Sequence, residues 1–442
     1  MKRLNGIHGI AIVAAVFLMP ILAAGALQSP YDFEHGTIAY TTSVASDAVA
    51  KLQARIDSGE TKLQFDPQHG YLPALLSELR IPRTSQSLVF SKTSLQLFLI
   101  SPETPRAIYF SDDLYVGAVQ ASPILEIAAM DPKLGAVFYT LPQKEEAKPQ
   151  FQREFLACLL CHDTPVTNEV PGLMTLSVLT DRSGNAIPSA GTAPMSDRTP
   201  FKERFGGWYV TGTHGAQRMW GNLTVPVTKE TIGDAKNYLK RLNLEPGANV
   251  TSLSSRFDTK PYLTPHSDIA AQLVMTHQTR IHNLLTRTRY DVAAAGSNQE
   301  RIRQAVEPLV RGMLFVWEAG YDGPVAGTTT FAEDFAKLGP HDSKGRSLRE
   351  LDLNKRLLRY PLSYLVYSEQ FDSLQAPARE QFFRRVREIL TGVDTSKDFA
   401  NLSDADRQAI LEILTDTKPE FAASISASSE GDISGSLWRR SR

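Results

Sequence analysis

The stretch FLACLLCHDTP, residues 155–165, carries the two cysteines of the chain, Cys158 and Cys161, with His162 directly behind the second. Thiols at that spacing beside an imidazole could form a disulfide, a redox dithiol, half of a zinc site, or a covalent anchor for a haem. A bridge across four residues closes almost no loop and would add little stability. A thioredoxin-like dithiol opens a helix directly after a strand in a βαβ unit, and residues 142–157 do not read as that strand. Zinc would need further ligands of like kind, and the chain has neither a second cysteine pair nor a His-x-x-x-His. The remaining chemistry is the C-x-x-C-H pattern for haem: two thioethers to the vinyl groups, and an imidazole that bonds the iron from the same side.

Through CLLCH, residues 158–162, the sequence resembles the c-type cytochromes. The resemblance implies one covalent haem c, with Cys158 and Cys161 as anchors and His162 as the proximal iron ligand. It is specific for the cofactor and not for a fold, since long segments lie on both sides of the motif where a small cytochrome c has none. The stretches FGGWYVTGTHG and MTHQTRIHN are similar to large single-haem bacterial proteins, a likeness that carries over nothing beyond the haem.

In the cytochrome pattern a downstream methionine or histidine closes the other face of the iron. His214 is the first choice, a polar residue between Thr213 and Gly215 in an aromatic- and glycine-rich loop. Met219 is second, Met195 lies in GTAPMSDRTP, and His277 falls in line with Ile269, Leu273 and Ile281 at helical spacing. Each also has a plain structural reading: methionine as a core gap-filler, histidine as a satisfied core residue. His266 and His282 fall off the apolar face and read as surface or capping residues. Arg204, Arg218 and Arg280 are candidates to pair with haem propionates, because guanidinium binds carboxylate bidentately. Asp112-Asp113 reads as a hairpin turn. Phosphate-loop and G-x-S-x-G motifs are absent.

Lysine and arginine (47) nearly balance aspartate and glutamate (48), which excludes nucleic acid as a main partner. Residues 1–26 read as a signal peptide: Lys2 and Arg3, an apolar run from Ile10 to Ala24 interrupted by Pro20, then Ala23-Ala24-Gly25-Ala26. The competing reading of that run is an uncleaved anchor. Export to the periplasm or another extracytoplasmic space agrees with covalent haem, which is made there. No later stretch is apolar for long enough to span a bilayer, so no membrane span is expected after cleavage.

The motif has to be positioned by the elements around it. Helices are expected over Ser46–Ile56 and Tyr71–Leu79. The short β-prone runs Leu88–Phe90, Ala107–Phe110, Leu114–Val119, Ile124–Met130 and Ala136–Leu141, separated by turn residues, predict an antiparallel meander. Phe151–Leu160 reads as an amphipathic helix leading into the motif, and 163–227 as loop-rich. Helices are expected from Thr264 as N-cap with Pro265 at the first position, over Gln299–Gly320, over Leu348–Gln370 with a break at Pro361, and over Ala376–Leu390. The fold class is α+β: an α+β N-terminal domain (27–149), a haem-attachment segment (150–227), a helical domain (228–423) and a disordered tail (424–442). The expected function is an exported single-haem c-type cytochrome passing electrons to a periplasmic redox partner. The alternative is a haem enzyme, peroxidase- or oxidase-like, or a haem sensor with an open distal position.

Overall fold

In the computed structural model, which describes residues 38–423, the β-prone runs form the expected meander. The expected signal peptide (1–26) and the expected tail (424–442) both lie outside the described residues. Strands β1 (Ser87–Val89), β2 (Arg106–Phe110), β3 (Leu114–Ala118), β4 (Ile124–Asp131) and β5 (Gly135–Pro142) pair antiparallel with their neighbours. Alternation sets the faces: Ala107, Tyr109, Leu125, Ile127 and Ala129 are buried, while Arg106, Ile108, Glu126 and Ala128 between them are partly open. Helix α1 (Ala48–Ser58) and helix α2 (Leu72–Glu78) precede the sheet. Asp47 caps α1 by accepting from the Val49 and Ala50 N–H groups, and its other oxygen accepts from the Tyr139 hydroxyl of β5 at 2.7 Å.

Both edges of the sheet come from the segment 150–227 that carries the CLLCH motif. β6 (Gln152–Glu154) pairs with β5, and β9 (Trp208–Tyr209) returns to pair with β1, giving the order β6-β5-β4-β3-β2-β1-β9. Between them lie helix α3 (Leu156–His162) and a two-stranded ribbon of β7 (Leu176–Val178) and β8 (Thr192–Pro194).

The C-terminal half is built around α4 (Ile269–Ala295), buried along nearly all its length. It lies across the sheet's hairpins. Gln278 donates to Ser111 O and the Tyr115 hydroxyl, and the Tyr290 hydroxyl donates to Leu134 O at 2.8 Å. Helices α5 (Gln299–Met313), α6 (Ala376–Leu390) and α7 (Asp404–Thr417) pack beyond it. The architecture is α+β, and one hydrophobic cluster runs from Tyr40 to Phe421 across all three expected segments.

Five local expectations differ from the structure, the first being that the helix expected over Gln299–Gly320 stops at Met313. Phe151–Leu160 is not one helix: 152–154 is strand, because Arg153 turns inward to donate to Tyr40 O and Ser43 O while its backbone pairs with β5. Helix α4 starts at Ile269, not at Pro265. Gln86 holds Thr264 O and His266 O, the Ser267 hydroxyl accepts from Leu88 N, and Asp268 is the cap. The expected helix over 348–370 is largely irregular, with short turns at Tyr364–Tyr367 and Glu369–Asp372. A Leu351–Leu358 bridge and the Glu350–Arg359 pair hold that stretch in a non-helical shape. Finally, His282 is fully buried, its ring nitrogens facing Gln370 Oε1 and Asp112 O at 2.8 Å each.

Candidate functional site

Helix α3 is barely two turns long, and its geometry places the motif. Residues at i, i+3 and i+4 share one helix face, so Cys158, Cys161 and His162 project together. Leu159 turns inward and is buried, while Leu156 and Leu160 stand 74% and 54% exposed. Both cysteines are free thiols; Cys158 is partly buried and Cys161 exposed. Burial pushes the Cys158 thiol up to about 12, with Glu154 and Glu126 adding to the rise. Burial also raises Cys161. A dithiol redox couple needs the opposite, a thiol pulled down toward neutral pH.

His162 is held from behind. Its Nδ1 lies 2.8 Å from Gly172 O, and the Gly172 N–H returns a bond to His162 O at 2.9 Å. A carbonyl only accepts, so Nδ1 carries the proton and Nε2 keeps its lone pair. Nε2 makes no hydrogen bond among the described residues. Burial lowers the affinity of His162 for a second proton. Gly172 is fixed in turn. A Cβ there would stand 2.4 Å from Asn283 Oδ1 and 3.0 Å from Thr167 Cβ. Asn283, on α4, accepts from Leu173 N and donates to Leu173 O, and Pro171 O accepts from Ala136 N on β5. The imidazole is therefore oriented through one carbonyl by both the central helix and the sheet, the arrangement that fixes tautomer and ring direction in metal-ligating histidines.

On its other flank the motif meets the partly open sheet face. The Phe138 ring lies 4.7 Å from the His162 ring, centroid to centroid. Arg106 on β2 pairs with Glu126 on β4 at 2.6 Å across Gly117 of β3, where a Cβ would stand 2.4 Å from Arg106 Nη2. Both charges act on His162 and on Cys158. Arg106 Nε and Glu126 Oε1 are buried with no hydrogen-bond partner among the described residues. Orphaned polar atoms of that kind are rare and ask for a ligand or water. A haem propionate would accept from Arg106 Nε, while Glu126 Oε1, itself an acceptor, would need a donor such as water; on the arginine side the residues present fit the group. Arg106 was not found from the sequence, because an arginine in an alternating strand reads as solvent-facing; the signal was Gly117, a glycine in a strand interior.

The candidates for the second axial position have other neighbours. His214 is fully buried, with Nδ1 2.8 Å from Gln217 O and Nε2 accepting from Asn249 N at 3.0 Å. His277 is also buried, with Nε2 2.9 Å from the Ser363 hydroxyl, Nδ1 3.7 Å from Asp197 Oδ2, and Phe315 stacked on its ring. Ligation by His214 would displace a hydrogen bond at whichever nitrogen it used, whereas His277 Nδ1 has no hydrogen-bond partner among the described residues and faces Asp197. The Met195 sulfur accepts from Phe205 N at 3.1 Å. Met219 is buried near Gly221 and has no hydrogen bond at sulfur among the described residues.

Of the arginine candidates, Arg204 is buried and donates to Thr199 O and Asp197 O, and Arg218 is paired with Glu245. Arg280 pairs with Asp197 and, with Met195, lines a cavity of about 410 Å³. The wall of that cavity includes Val166 and Asn168, from the loop directly behind His162. Burial raises Asp197, but Arg280 and His277 outweigh it and hold the carboxyl well below its usual range.

Among the described residues no group of three or more His, Cys, Asp or Glu side chains could hold a metal ion on its own. No described helix is long and apolar enough to cross a membrane. The chain matches no protein-family model, no curated protein and no solved structure.

Proposed function

We propose that this protein is an exported c-type cytochrome that carries one covalent haem and passes electrons to an extracytoplasmic redox partner. The observation that supports this most is the face of α3: two free thiols and an imidazole at i, i+3 and i+4, with Nδ1 tied to Gly172 O and Nε2 unbonded. A bound haem would supply one-electron chemistry at its iron. Cys158 and Cys161 would hold it by adding their S–H bonds across its two vinyl groups. His162 would ligate from Nε2, kept neutral by burial and oriented by Gly172 and Asn283. Arg106 would place positive charge beside a propionate. The exposed position of Cys161 leaves an edge open to a partner.

A second reading is a haem enzyme or a haem sensor with an open distal position. It is favoured by the engaged nitrogens of His214, the engaged sulfur of Met195 and the Asp197 carboxylate facing His277 Nδ1, which leave Met219 as the candidate with neither a hydrogen bond nor a facing charge.

Optical spectra and a pyridine haemochrome assay on protein expressed with the haem-attachment machinery test both readings. A c-haemochrome is expected in the parent and no covalent haem in the Cys158→Ala/Cys161→Ala double variant. Covalent haem absent from the parent would sink the proposal. Low-spin iron indifferent to carbon monoxide would favour the electron carrier; high-spin iron that binds carbon monoxide would favour the enzyme or sensor.

A further inference from the structure

The 410 Å³ cavity between α4, α5 and the loops at 166–175 and 194–198 lies within the range of small-molecule sites, roughly 300–1,000 Å³. Its lining is charged on one sign only. Arg198, Arg280 and Arg311 contribute guanidiniums, and no carboxylate among the described residues lines it. Arg280 is neutralised by Asp197, and Arg311 by Glu307 and Asp398. Arg198 has no ion pair among the described residues and spends one N–H on Val316 O at 3.2 Å. Burial, together with the charges of Arg280 and Arg311, pulls Arg198 down to about 10 against the attraction of Asp197. That crowding is relieved by an anion.

One wall of the cavity is apolar, formed by Leu173, Met174, Leu284 and Pro308, while Asn168, Thr175, Ser196, Thr279 and Asn283 contribute polar groups elsewhere. At its rim stands Trp317, 60% exposed, with the Arg198 guanidinium 4.8 Å and the Arg311 guanidinium 5.9 Å from its ring centre. Trp317 has φ +66° and Phe315 φ +55°, conformations that bulky residues adopt only at a cost. A bare phosphate would leave the apolar wall wet, and an uncharged aromatic would leave the Arg198 guanidinium unrelieved.

We propose that this cavity binds a flat carboxylate with an apolar body, its carboxylate on Arg198 and Arg280 and its body between Trp317 and the Leu173–Leu284 wall. That chemistry has two sources: a free aromatic acid, or the carboxylates of a haem held by the neighbouring motif. The inference stands on the cavity's own residues and survives if no haem is attached.

Titration calorimetry of the full-length protein as purified, with benzoate and with benzyl alcohol, tests it beside the midpoint potential of any haem present. Arg198→Gln is the probe, and Arg303→Gln, at an exposed pair with Glu300, is the control. Saturable binding of benzoate but not of benzyl alcohol, weakened about tenfold or more by Arg198→Gln as the loss of a charge-assisted pair implies, assigns the cavity to a free acid. No benzoate binding together with a midpoint potential lowered by Arg198→Gln and not by Arg303→Gln assigns it to the haem's own carboxylates. Either result upholds the site. Absence of both effects, or equal binding of the alcohol, overturns it.

Discussion

Gly172 is the residue on which the orientation of His162 turns. Its carbonyl takes the imidazole proton, and the space a side chain would need is filled by Asn283 Oδ1 and Thr167. Gly172→Ala should cost about 1–3 kcal/mol, the usual penalty for overpacking a filled site, and urea denaturation would read it. An unchanged midpoint would mean that the loop yields freely and does not hold the ring. Glu318 gives a second test at this scale. Burial, with the charge of Asp197 adding to it, pushes Glu318 up to about 8 against the pull of the Leu357 N–H. A carboxyl raised in the folded state contributes stability that is full below its unfolded pKa and is lost as pH rises through the folded one. Stability from this group should therefore decline from about pH 4.5 to about pH 8. Glu318→Gln keeps an acceptor for Leu357 N and should flatten that decline. Denaturation midpoints near pH 5 and pH 9 that fall equally in parent and variant would remove the assignment.

At the scale of elements, the start of α4 is the most heavily bonded helix end in the molecule's centre. Asp268 accepts from Ala270 N and Ala271 N with one oxygen, and from Thr328 N, Thr329 N and the Thr329 hydroxyl with the other. It caps the helix and clasps the 326–330 segment at once. Asp268→Ala should cost about 2 kcal/mol or more, above an isolated cap, because buried donors outside the helix are also left unpaired. Thermal unfolding of the variant checks this. A loss well under 1 kcal/mol, the size of a weak cap alone, would show that the clasp adds nothing.

For the whole molecule, the decisive feature is that both edge strands of the sheet come from the segment carrying the thiols and imidazole. A chain ending at residue 149 would leave β5 and β1 as open, apolar edges and would lack α4 across the hairpins. Such a fragment should fail to fold as a monomer, aggregating or giving collapsed amide dispersion by NMR, since unpaired edges recruit one another. A well-dispersed monomeric spectrum would show the N-terminal domain to be an independent unit.

The meander and α6 were legible in the sequence because period-2 and period-3.6 patterns are local. The motif was legible because its spacing is a property of five consecutive residues. Where long-range contacts compete with local preference, the sequence misled. Arg153 draws a helical-looking stretch into the sheet, Gln86 and Ser267 hold back the start of α4, and His282 is drawn inside by Gln370 and Asp112. The sequence by itself determined which residues can do chemistry: Cys158, Cys161 and His162, in an order that already places them on one helix face. Only the tertiary structure decided what stands around them. The carbonyl of Gly172, the clamp of Asn283, the unsatisfied Arg106–Glu126 pair and the arginine-lined cavity join residues far apart along the chain, and contacts of that kind exist only once the core has closed.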